Sequence, residues 1–598
     1  MGHPLRVHHW LRLVKILTFN WRGTNTTNDP NSGNWNVTSN WREHTVPKSD
    51  ERLSLQFKSG LSNYTSTNDL TDLELNSIYV EEGDGASIIN VDGNLVKFVG
   101  TNPEIRSNAP TYDFNFDCPI ESDILTIVAN WFNTISNFNL TPGNNNINVN
   151  EIIIEGGTVG LRQTQNNIGK ITIKDESILF PGGSGFSTTA PVYFDGNNSV
   201  LVRNARDSMT IGGMISNNIG AGRLRQWNTA GSNQCNIIVP EGEDYLFSGD
   251  IATGGPPFHV GNNRIRFYKG GLGTQRLSGF QGAGQTWQTV VNNGLLWYLD
   301  SAIMQSTSNY SEVQINGHMR MDGVVQDGSG EFIVNGLLSG SGEIRRPTLL
   351  NNTGTIKPIE TFTINYITTT ALICQSNSIM EFELGVDLLD VTGDIDLKTN
   401  ISITNDILTN GTYKIIGYSG SLINEEISVF YNNSGKLVTT DTTTLNEVNL
   451  VVEDIPLEYT ARYWRIFIID RTSISSNLNY RLRRFRLYDA TNNLVTPDNM
   501  TDNTTPVPYV ASSSFSSSAF QAFDGDINTS ADGSSSRAWI KIDLGENKAV
   551  ASGDILWNSA SGRNPGIYVV QGSVDDVNWV SVFGFEGSSG VTFNIGDV

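Results

Sequence analysis

Short apolar strands joined by glycine corners are the feature that most limits what this chain can fold into. Between Phe332 and Leu422, apolar and polar residues alternate in the runs FIVNGLL, IMEFEL and GTYKIIGY. A period of two is typical of β-strands with one buried face. Glycines, which accept the positive φ that sharp turns need, punctuate these runs at Gly340, Gly342, Gly354, Gly385, Gly393, Gly411 and Gly420. This pattern predicts a coiled β-solenoid, whose successive coils pair around an apolar column.

The composition also favours an all-β chain. Among 598 residues there are 59 glycines and only 17% charged residues, and no long run has helical spacing. The length suits an elongated array followed by a separate domain. We therefore expect β-structure throughout and helix in fewer than roughly a fifth of residues, against about a third in ordinary globular chains.

The charge balance bears on partners. Sixty-one acidic residues against 39 basic ones give a formal net charge of −22. Because such a surface repels phosphate backbones, nucleic acid is excluded as a predicted partner.

The cysteines predict buried free thiols. Cys118, Cys235 and Cys374 are odd in number and far apart, and no Cys-x-x-Cys spacing occurs. A free cysteine packs like a small apolar side chain. This usage is typical of folding in a reducing cytoplasm, which includes proteins assembled there into virus particles.

The N-terminal residues 1–14 form a basic, histidine-containing segment that we interpret as an extension or a docking peptide. Arg12 and Lys15 interrupt the apolar run that a secretory signal needs, and no stretch reaches transmembrane length. We therefore predict no membrane insertion.

The solenoid segment resembles the distal end of autotransporter passengers and related right-handed parallel β-helices. The resemblance rests on three turn motifs of those proteins, matched here by Gly336, Leu338, Gly340, Gly342 and Ile344, by Asn352, Gly354–Ile356 and Pro358, and by Gly411–Tyr413, Ile415, Ile416, Tyr418 and Gly420. It implies fold rather than chemistry, since solenoid motifs encode turns. An autotransporter also needs a signal peptide and a membrane barrel, and neither is recognisable.

The start of the solenoid carries a second set of matching residues. Six residues near the start of the chain resemble the opening motif of the same β-helix families. They are Trp21, Gly23, Gly33, Trp35, Trp41 and Pro47. Indoles can close the end of an apolar column, although a sugar platform is the alternative. Residues 15–455 are therefore predicted to be one parallel β-helix.

Residues 456–598 resemble a discoidin or coagulation-factor type C domain, a galactose-binding-like β-sandwich. The matching segments are AFQAFDGDINTS, AWIKIDLG and VVQGSVDDVNWVSV, together with ARYWRIFII and RRFRLYDA, which look like final strands moved to the front. A sandwich with adjacent termini tolerates such permutation, and similar permuted copies occur in bacteriophage structural proteins. The chain departs from the pattern of these domains at one position. A tryptophan usually follows the loop threonine, but here Thr529 is followed by Ser530.

A calcium site is expected in the loop of this domain. Asp524, Asp526 and Asn528 alternate, and oxygen ligands at that spacing suit Ca²⁺. The resemblance also implies a structural calcium here. The alternative is an ordinary acidic turn.

Glycan-binding residues are proposed in the loops of the same domain. Tyr509, Phe515 and Arg563 have side chains that can stack on sugar faces or donate to hydroxyls. No Gly-x-Ser-x-Gly, His-Glu-x-x-His or phosphate-loop motif occurs, and carboxylates such as Asp322, Asp327 and Glu331 look like turn residues. We assign no catalytic residue.

Taken together, these features predict a virion appendage, namely a phage tail spike, tail fibre or capsid fibre, that attaches to a host-surface glycan. We expect a homotrimer in contact with other virion proteins. The alternatives are a secreted bacterial surface adhesin, located at the cell surface, and a polysaccharide depolymerase tailspike.

Overall fold

The computed structural model describes 23 stretches of the chain, which are residues 16–22, 32–58, 62–81, 88–108, 114–129, 138–140, 147–164, 167–204, 208–227, 232–252, 264–282, 288–300, 302–304, 311–325, 330–405, 408–431, 436–454, 458–470, 480–515, 517–533, 538–558, 567–586 and 590–595. Residues 1–14 and Arg563 lie outside these stretches. The chain forms two compact units, residues 1–309 and 310–598. This division falls inside the predicted solenoid, so the predicted domain boundaries stay predictions.

The first unit contains short strands and one 3₁₀ helix, Thr38–Asn40. Its strands are β1 Leu17–Asn20, β2 Gly33–Asn34, β3 Leu53–Lys58, β4 Tyr64–Asn68, β5 Leu73–Leu75, β6 Ser77–Glu81, β7 Ile89–Gly93, β8 Val96–Phe98, β9 Glu104–Ser107, β10 Phe114–Phe116, β11 Ile120–Ala129, β12 Phe138–Leu140, β13 Ile147–Glu155, β14 Gly157–Thr164, β15 Asn167–Lys174, β16 Ser177–Ser187, β17 Pro191–Asp195, β18 Val200–Asn204, β19 Met209–Ile211, β20 Gly213–Ser216, β21 Arg223–Trp227, β22 Ser232–Ile238, β23 Asp244–Phe247, β24 Asp250–Ala252, β25 Arg264–Gly270, β26 Thr274–Leu277, β27 Phe280–Gly282, β28 Gln288–Tyr298 and β29 Ile303–Met304.

Parallel pairing in register builds an apolar column in this unit. One row of paired residues runs through β3, β6, β9, β11, β13, β15 and β17, and every member is fully buried: Leu55, Ile78, Ile105, Ile127, Ile154, Ile173 and Phe194. Because side chains alternate along a strand, in-register parallel pairing places each apolar residue directly over the previous one. The predicted coiled arrangement is thus confirmed.

Three indoles at the start of the first unit pack together. Trp21, Trp35 and Trp41 are each at most 1% exposed, and the ring centroids of Trp21 and Trp41 are 5.1 Å apart. Trp35 Nε1 donates to Ser66 Oγ at 2.6 Å, and Trp41 Nε1 donates to the Trp35 carbonyl at 2.9 Å. Since the rings are buried and their N–H groups have acceptors, the capping-core interpretation is confirmed over a sugar platform.

The second unit begins with further solenoid strands. These are β30 Ser311–Met321, β31 Val324–Val325, β32 Phe332–Val334, β33 Leu337–Gly340, β34 Glu343–Ile344, β35 Thr348–Leu350, β36 Thr355–Pro358, β37 Thr361–Cys374, β38 Ser378–Phe382, β39 Leu388–Ile403, β40 Gly411–Tyr418, β41 Leu422–Tyr431, β42 Lys436–Asp441 and β43 Glu447–Asp454. A buried row again connects the coils: Met319, Leu338, Ile356, Met380, Ile401 and Val429. The ladder ends where β43 pairs antiparallel with β40 and β42.

The remaining strands form a two-layer sandwich with exclusively antiparallel pairing among the described strands. They are β44 Tyr459–Asp470, β45 Tyr480–Tyr488, β46 Val510–Ser513, β47 Ala531–Gly533, β48 Trp539–Val550, β49 Ser552–Trp557, β50 Ile567–Ser573, β51 Val580–Glu586 and β52 Gly590–Asn594, with one 3₁₀ helix, Ala519–Ala522. The sheet orders are β46-β48-β44-β50-β51 and β47-β45-β49-β52. Trp464, Phe485, Ile540, Trp557 and Tyr568 fill the core between the sheets.

The protein is therefore all-β, a parallel β-solenoid followed by a galactose-binding-like sandwich, and the predicted fold class is confirmed. The three cysteines are buried, and burial raises the pKa of the Cys118 and Cys374 thiols. Neither helix in the described stretches is long and apolar enough to cross a membrane.

A buried lysine interrupts the apolar interior of the first unit. Lys269 on β25 is 0% exposed, and its Nζ donates to the carbonyls of Gly270 at 2.7 Å, Gly271 at 3.1 Å and Asn293 at 3.3 Å. Burial lowers the pKa of this ammonium group from 10.5 to about 8. Between those two values the unfolded chain binds more protons than the folded chain, so this group makes folding more favourable as the pH rises.

We expect the melting temperature of the wild-type protein to rise relative to that of Lys269→Met as the pH increases from about 7 to about 10. The physical reason is that the folded protein no longer has to bury an ammonium charge once Lys269 is neutral. Differential scanning calorimetry of both proteins across this range measures the effect. Lys357→Met is the matched control, because the Lys357 side chain is 40% exposed and pairs with Glu381 at 3.1 Å. A melting-temperature difference that is independent of pH would contradict the assignment.

Candidate functional site

The five-stranded sheet of the sandwich has an outer face that is unusually rich in aromatic and cationic residues. On β44, Trp464, Ile466 and Ile468 point into the core, so Arg465 and Phe467 lie on the opposite face. The strand register places Lys541 of β48 and Gln571 of β50 on either side of Arg465, and Trp539 and Val569 on either side of Phe467. Two adjacent cross-strand rows result, one polar and one apolar.

This outer face packs against the last coils of the solenoid. Ile379 of β38 forms an apolar cluster with Phe467 and Val569, and Trp539 packs against that cluster. Trp579, just before β51, forms a parallel β-bridge with Ser428 of β41. The sandwich is thus seated directly on the end of the coiled ladder.

Arg465 is at the centre of the hydrogen bonds between the sandwich and the solenoid. Its Nε donates to Gln571 Oε1 at 2.7 Å, and its Nη2 donates to Ser428 Oγ at 2.7 Å. Gln571 Nε2 in turn donates to the Val429 carbonyl at 2.8 Å, and the hydroxyl of Ser581 donates to the same carbonyl. Buried polar groups that are bonded in this way restrict the sandwich to one orientation on the coil.

Arg465 is a largely desolvated cation. It is 7% exposed, and its Cζ lies 4.0 Å from the ring centroid of Trp579 and 5.1 Å from that of Phe467. Burial lowers the pKa of its guanidinium to about 9, although the charge of Asp576 acts in the opposite direction. The aromatic rings therefore provide a large part of its surroundings.

An open cleft of about 340 Å³ lies along this contact. The solenoid provides one wall of the cleft and the sandwich provides the other. The solenoid wall is lined by Ser376, Asn377, Lys398, Thr399, Asn400, Glu426 and Ser428. The sandwich wall is lined by Arg465, Phe467, Trp539, Lys541, Asp576, Val577 and Trp579. The volume is at the lower end of the range for small-molecule sites, roughly 300–1,000 Å³. Aromatic rings beside amides, hydroxyls and charges suit a polar ligand with apolar faces.

The charged groups of the cleft are unevenly paired. Lys541 Nζ contacts both carboxylate oxygens of Asp576, at 2.6 Å for Oδ1 and 2.5 Å for Oδ2, and lies 5.2 Å from the Trp539 ring centroid. Lys398 is a cross-strand neighbour of Glu426 but forms no ion pair within the described stretches. The wall provided by the solenoid thus presents an ammonium group that makes no direct ion pair within the described stretches.

The predicted glycan-binding residues are not in this cleft. Tyr509 and Phe515 are partly buried and pack against the sandwich core, and Lys548 Nζ lies 5.5 Å from the Tyr509 ring centroid. Arg563 falls outside the described residues. Their role in sugar binding stays a prediction.

The predicted calcium ligands form a hydrogen-bonded turn. Asp524 Oδ1 accepts from the Asp526 amide at 2.9 Å, and its Oδ2 accepts from Thr529 Oγ1 at 2.6 Å. Asp526 Oδ1 accepts from both the amide and the side chain of Asn528, each at 2.9 Å. The described stretches contain no cluster of three or more acidic, histidine or cysteine ligands that could hold a metal ion. Calcium binding here stays a prediction.

Sequence reasoning missed the cleft, although one signal for it was present. The alternation in ARYWRIFII and AWIKIDLG places Arg465 and Phe467, and Trp539 and Lys541, on the non-core face of their strands. Cations and aromatic rings repeated on an outward face are unusual for a solvated sheet surface. Which part of the chain covers that face could not be read from the alternation.

In a comparison with known families, residues 508–596 match the F5/8 type C domain. Strands β44 and β45 precede the matched residues, yet each lies between two partners in its sheet. Comparisons with curated proteins and with solved structures give no significant match. The F5/8 type C domain is a carbohydrate-binding module, and the matched residues lie in the sandwich of this chain.

Proposed function

We propose that this protein is a structural appendage of a virus particle, a phage tail spike, tail fibre or capsid fibre, that attaches the particle to a glycan on the host surface. The observation that carries the proposal is the match of residues 508–596 to the F5/8 type C domain, within a sandwich that is seated on a parallel β-solenoid. The β-solenoid also suits an adhesin. In either case the solenoid is the support and the sandwich is the recognition module.

The contact between sandwich and solenoid supports a presenting role. Gln571 and Ser581 both donate to the carbonyl of Val429, and Arg465 donates to Ser428, so three adjacent strands of the sandwich, β44, β50 and β51, are bonded to the solenoid. Breaking one partner of a buried hydrogen bond costs about 1–3 kcal/mol, because the other is left without a partner. A recognition module that is attached in this way transmits the force of adhesion to the solenoid instead of pivoting on a linker.

Sugar contacts of the kind we propose at Tyr509, Phe515 and Arg563 are individually weak. Useful attachment therefore depends on several copies that act together on one particle. This is the reason that the proposal includes a homotrimer and a fixed place among other virion proteins.

We expect the full-length protein, multimerised on beads, to bind members of an array of neutral and acidic oligosaccharides. Tyr509→Ala and Arg563→Ala should each weaken that binding about tenfold, since each removes a stacking or charge-assisted contact. Tyr366→Ala, a change of the same type on solenoid strand β37, is the control. Failure of the multimerised protein to bind any glycan would contradict the proposal.

Two further measurements separate the alternatives. Mass spectrometry of purified particles detects the chain if it is a virion component, whereas detection only on bacterial surfaces favours the adhesin. Release of reducing ends from a bound polysaccharide favours the depolymerase. The buried cysteines Cys118, Cys235 and Cys374 support the virion, because their odd number and wide spacing suit assembly in a reducing cytoplasm.

Exposed aliphatic side chains on the second unit support the proposed homotrimer. Ile367 is 79% exposed and Ile423 is 50% exposed, both at solenoid corners where the strand register shifts. Packing of solenoids side by side would remove such side chains from water.

Sedimentation velocity should therefore give a species of three times 65.5 kDa at micromolar concentration. Ile367→Asp should shift the protein toward the monomer, because it places a charge in the packed surface. Val507→Asp, at an 86% exposed position on the sandwich, is the control. A wild-type protein that sediments only as a monomer would argue against the trimer.

We also propose that Asp524, Asp526 and Asn528 bind a structural Ca²⁺. If they do, the melting temperature in excess calcium should exceed that in EDTA, since a ligand that binds only the folded state stabilises it. Asp524→Asn should remove this difference. Asp502→Asn is the matched control, because Asp502 makes the same type of turn with Thr504. Equal melting temperatures with and without calcium would exclude the site.

A further inference from the structure

We propose that the cleft between the sandwich and the last solenoid coils binds a carboxylate-bearing sugar, with Arg465, Lys398 and Lys541 as the cations and Trp539 as the ring that contacts the sugar. This inference rests on the proposed glycan-binding function and adds a second site and a class of ligand. It differs from the proposed site at Tyr509, Phe515 and Arg563, none of which lines the cleft.

The main evidence is a buried cation that no carboxylate contacts directly within the described stretches, although Asp576 acts on it from a greater distance. Arg465 is 7% exposed and lines the cleft, yet within the described stretches it forms no ion pair with any carboxylate. Its hydrogen-bond acceptors are the neutral side chains of Gln571 and Ser428. The other N–H groups of the guanidinium have no acceptor among the described residues. Buried charges are normally paired, so the arrangement is completed by an anion that enters the cleft.

A carboxylate suits the donors that remain. Guanidinium and carboxylate groups match in geometry and form short, charge-assisted hydrogen bonds. Lys398 adds an ammonium group on the opposite wall, and it is unpaired within the described stretches. Three cations and two carboxylates line the cleft, Arg465, Lys398 and Lys541 against Glu426 and Asp576, whereas the whole chain has a charge of −22. The cleft is therefore a local exception to the acidic surface, and salt screens the rest of that surface beyond about 10 Å.

The remaining lining fits a sugar better than another small anion. Trp539 is half-buried, and Asn377, Thr399 and Asn400 provide amide and hydroxyl groups nearby. Ring faces of sugars pack on indoles, and their hydroxyls bond amides and hydroxyls. A simple phosphate or sulfate would use the cations but has no apolar face to pack against the indole of Trp539.

The test uses matched ligand pairs that differ only in the charge of the carboxylate. The pairs are tetragalacturonate with its methyl ester, and sialyllactose with the methyl ester of its sialic acid carboxylate. Binding of each to the full-length protein is measured by isothermal titration calorimetry. We expect at least one acidic member to bind about tenfold more tightly than its neutral partner, and increasing salt to reduce this preference.

Variants then locate the site. Lys398→Gln and Trp539→Ala should each weaken binding of the acidic sugar about tenfold. The control is Lys357→Gln, which makes the same charge change at a lysine outside the cleft and should leave binding unchanged. Asp576→Asn should strengthen binding, because it removes the carboxylate that occupies Lys541. Asparagine tolerates the φ of 66° at this position. A gain of affinity cannot come from misfolding.

Each outcome decides the inference. Equal binding of acidic and neutral partners would overturn the anionic preference and leave glycan recognition intact. Acidic binding that Lys398→Gln, Trp539→Ala and Asp576→Asn do not alter would move the site out of the cleft. Absence of binding to both ligand pairs overturns the inference, and the array of the proposed function shows separately whether the protein binds any glycan at all.

Discussion

Parallel pairing between successive coils is the interaction on which the rest of this structure depends. A coil can pair with the next only if the apolar side chains of both stay in register, as they do from Met319 through Leu338 to Val429. The corners must also bring backbones very close together. At Gly340, with a φ of 128°, a Cβ atom would lie 2.0 Å from the Met321 carbonyl oxygen, so only glycine fits. The solenoid is therefore encoded by two local features, alternation and glycine corners, that repeat along the chain.

That locality explains how much of the fold could be predicted from the sequence. Alternating residues and glycines are short-range signals, and they predicted the β-solenoid, the buried indoles and the buried cysteines. They did not predict which polar side chains enter the interior. Gln275 is fully buried and bonds both the amide and the carbonyl of Met214, 61 residues earlier, at 3.0 Å each. No local pattern identifies such a partner, because the contact exists only after the coils have stacked.

The candidate site was harder to predict for the same physical reason. Loop residues such as Tyr509 and Phe515 attract attention because aromatic rings in polar loops suggest ligands, yet both pack against the sandwich core. The cleft residues lie inside regular strands, where alternation defines only which face they share. Their importance comes from the contact of Arg465 with Ser428 and of Gln571 with Val429, the latter 142 residues apart. Long-range docking, rather than local chemistry, creates this site.

The cost of burying Arg465 connects stability with recognition. Taking a guanidinium out of water is expensive, and Trp579, Phe467, Gln571 and Ser428 offset part of that cost without supplying a negative charge. A carboxylate in this position would have formed an ion pair with the guanidinium, as Asp543 does with the partly exposed Arg462 at 2.8 Å. Neutral partners hold the side chain in place and leave its charge available. The same residue can therefore orient the sandwich on the solenoid and attract an anion to the cleft. The second role follows because the neighbours that hold Arg465 in place do not neutralise its charge.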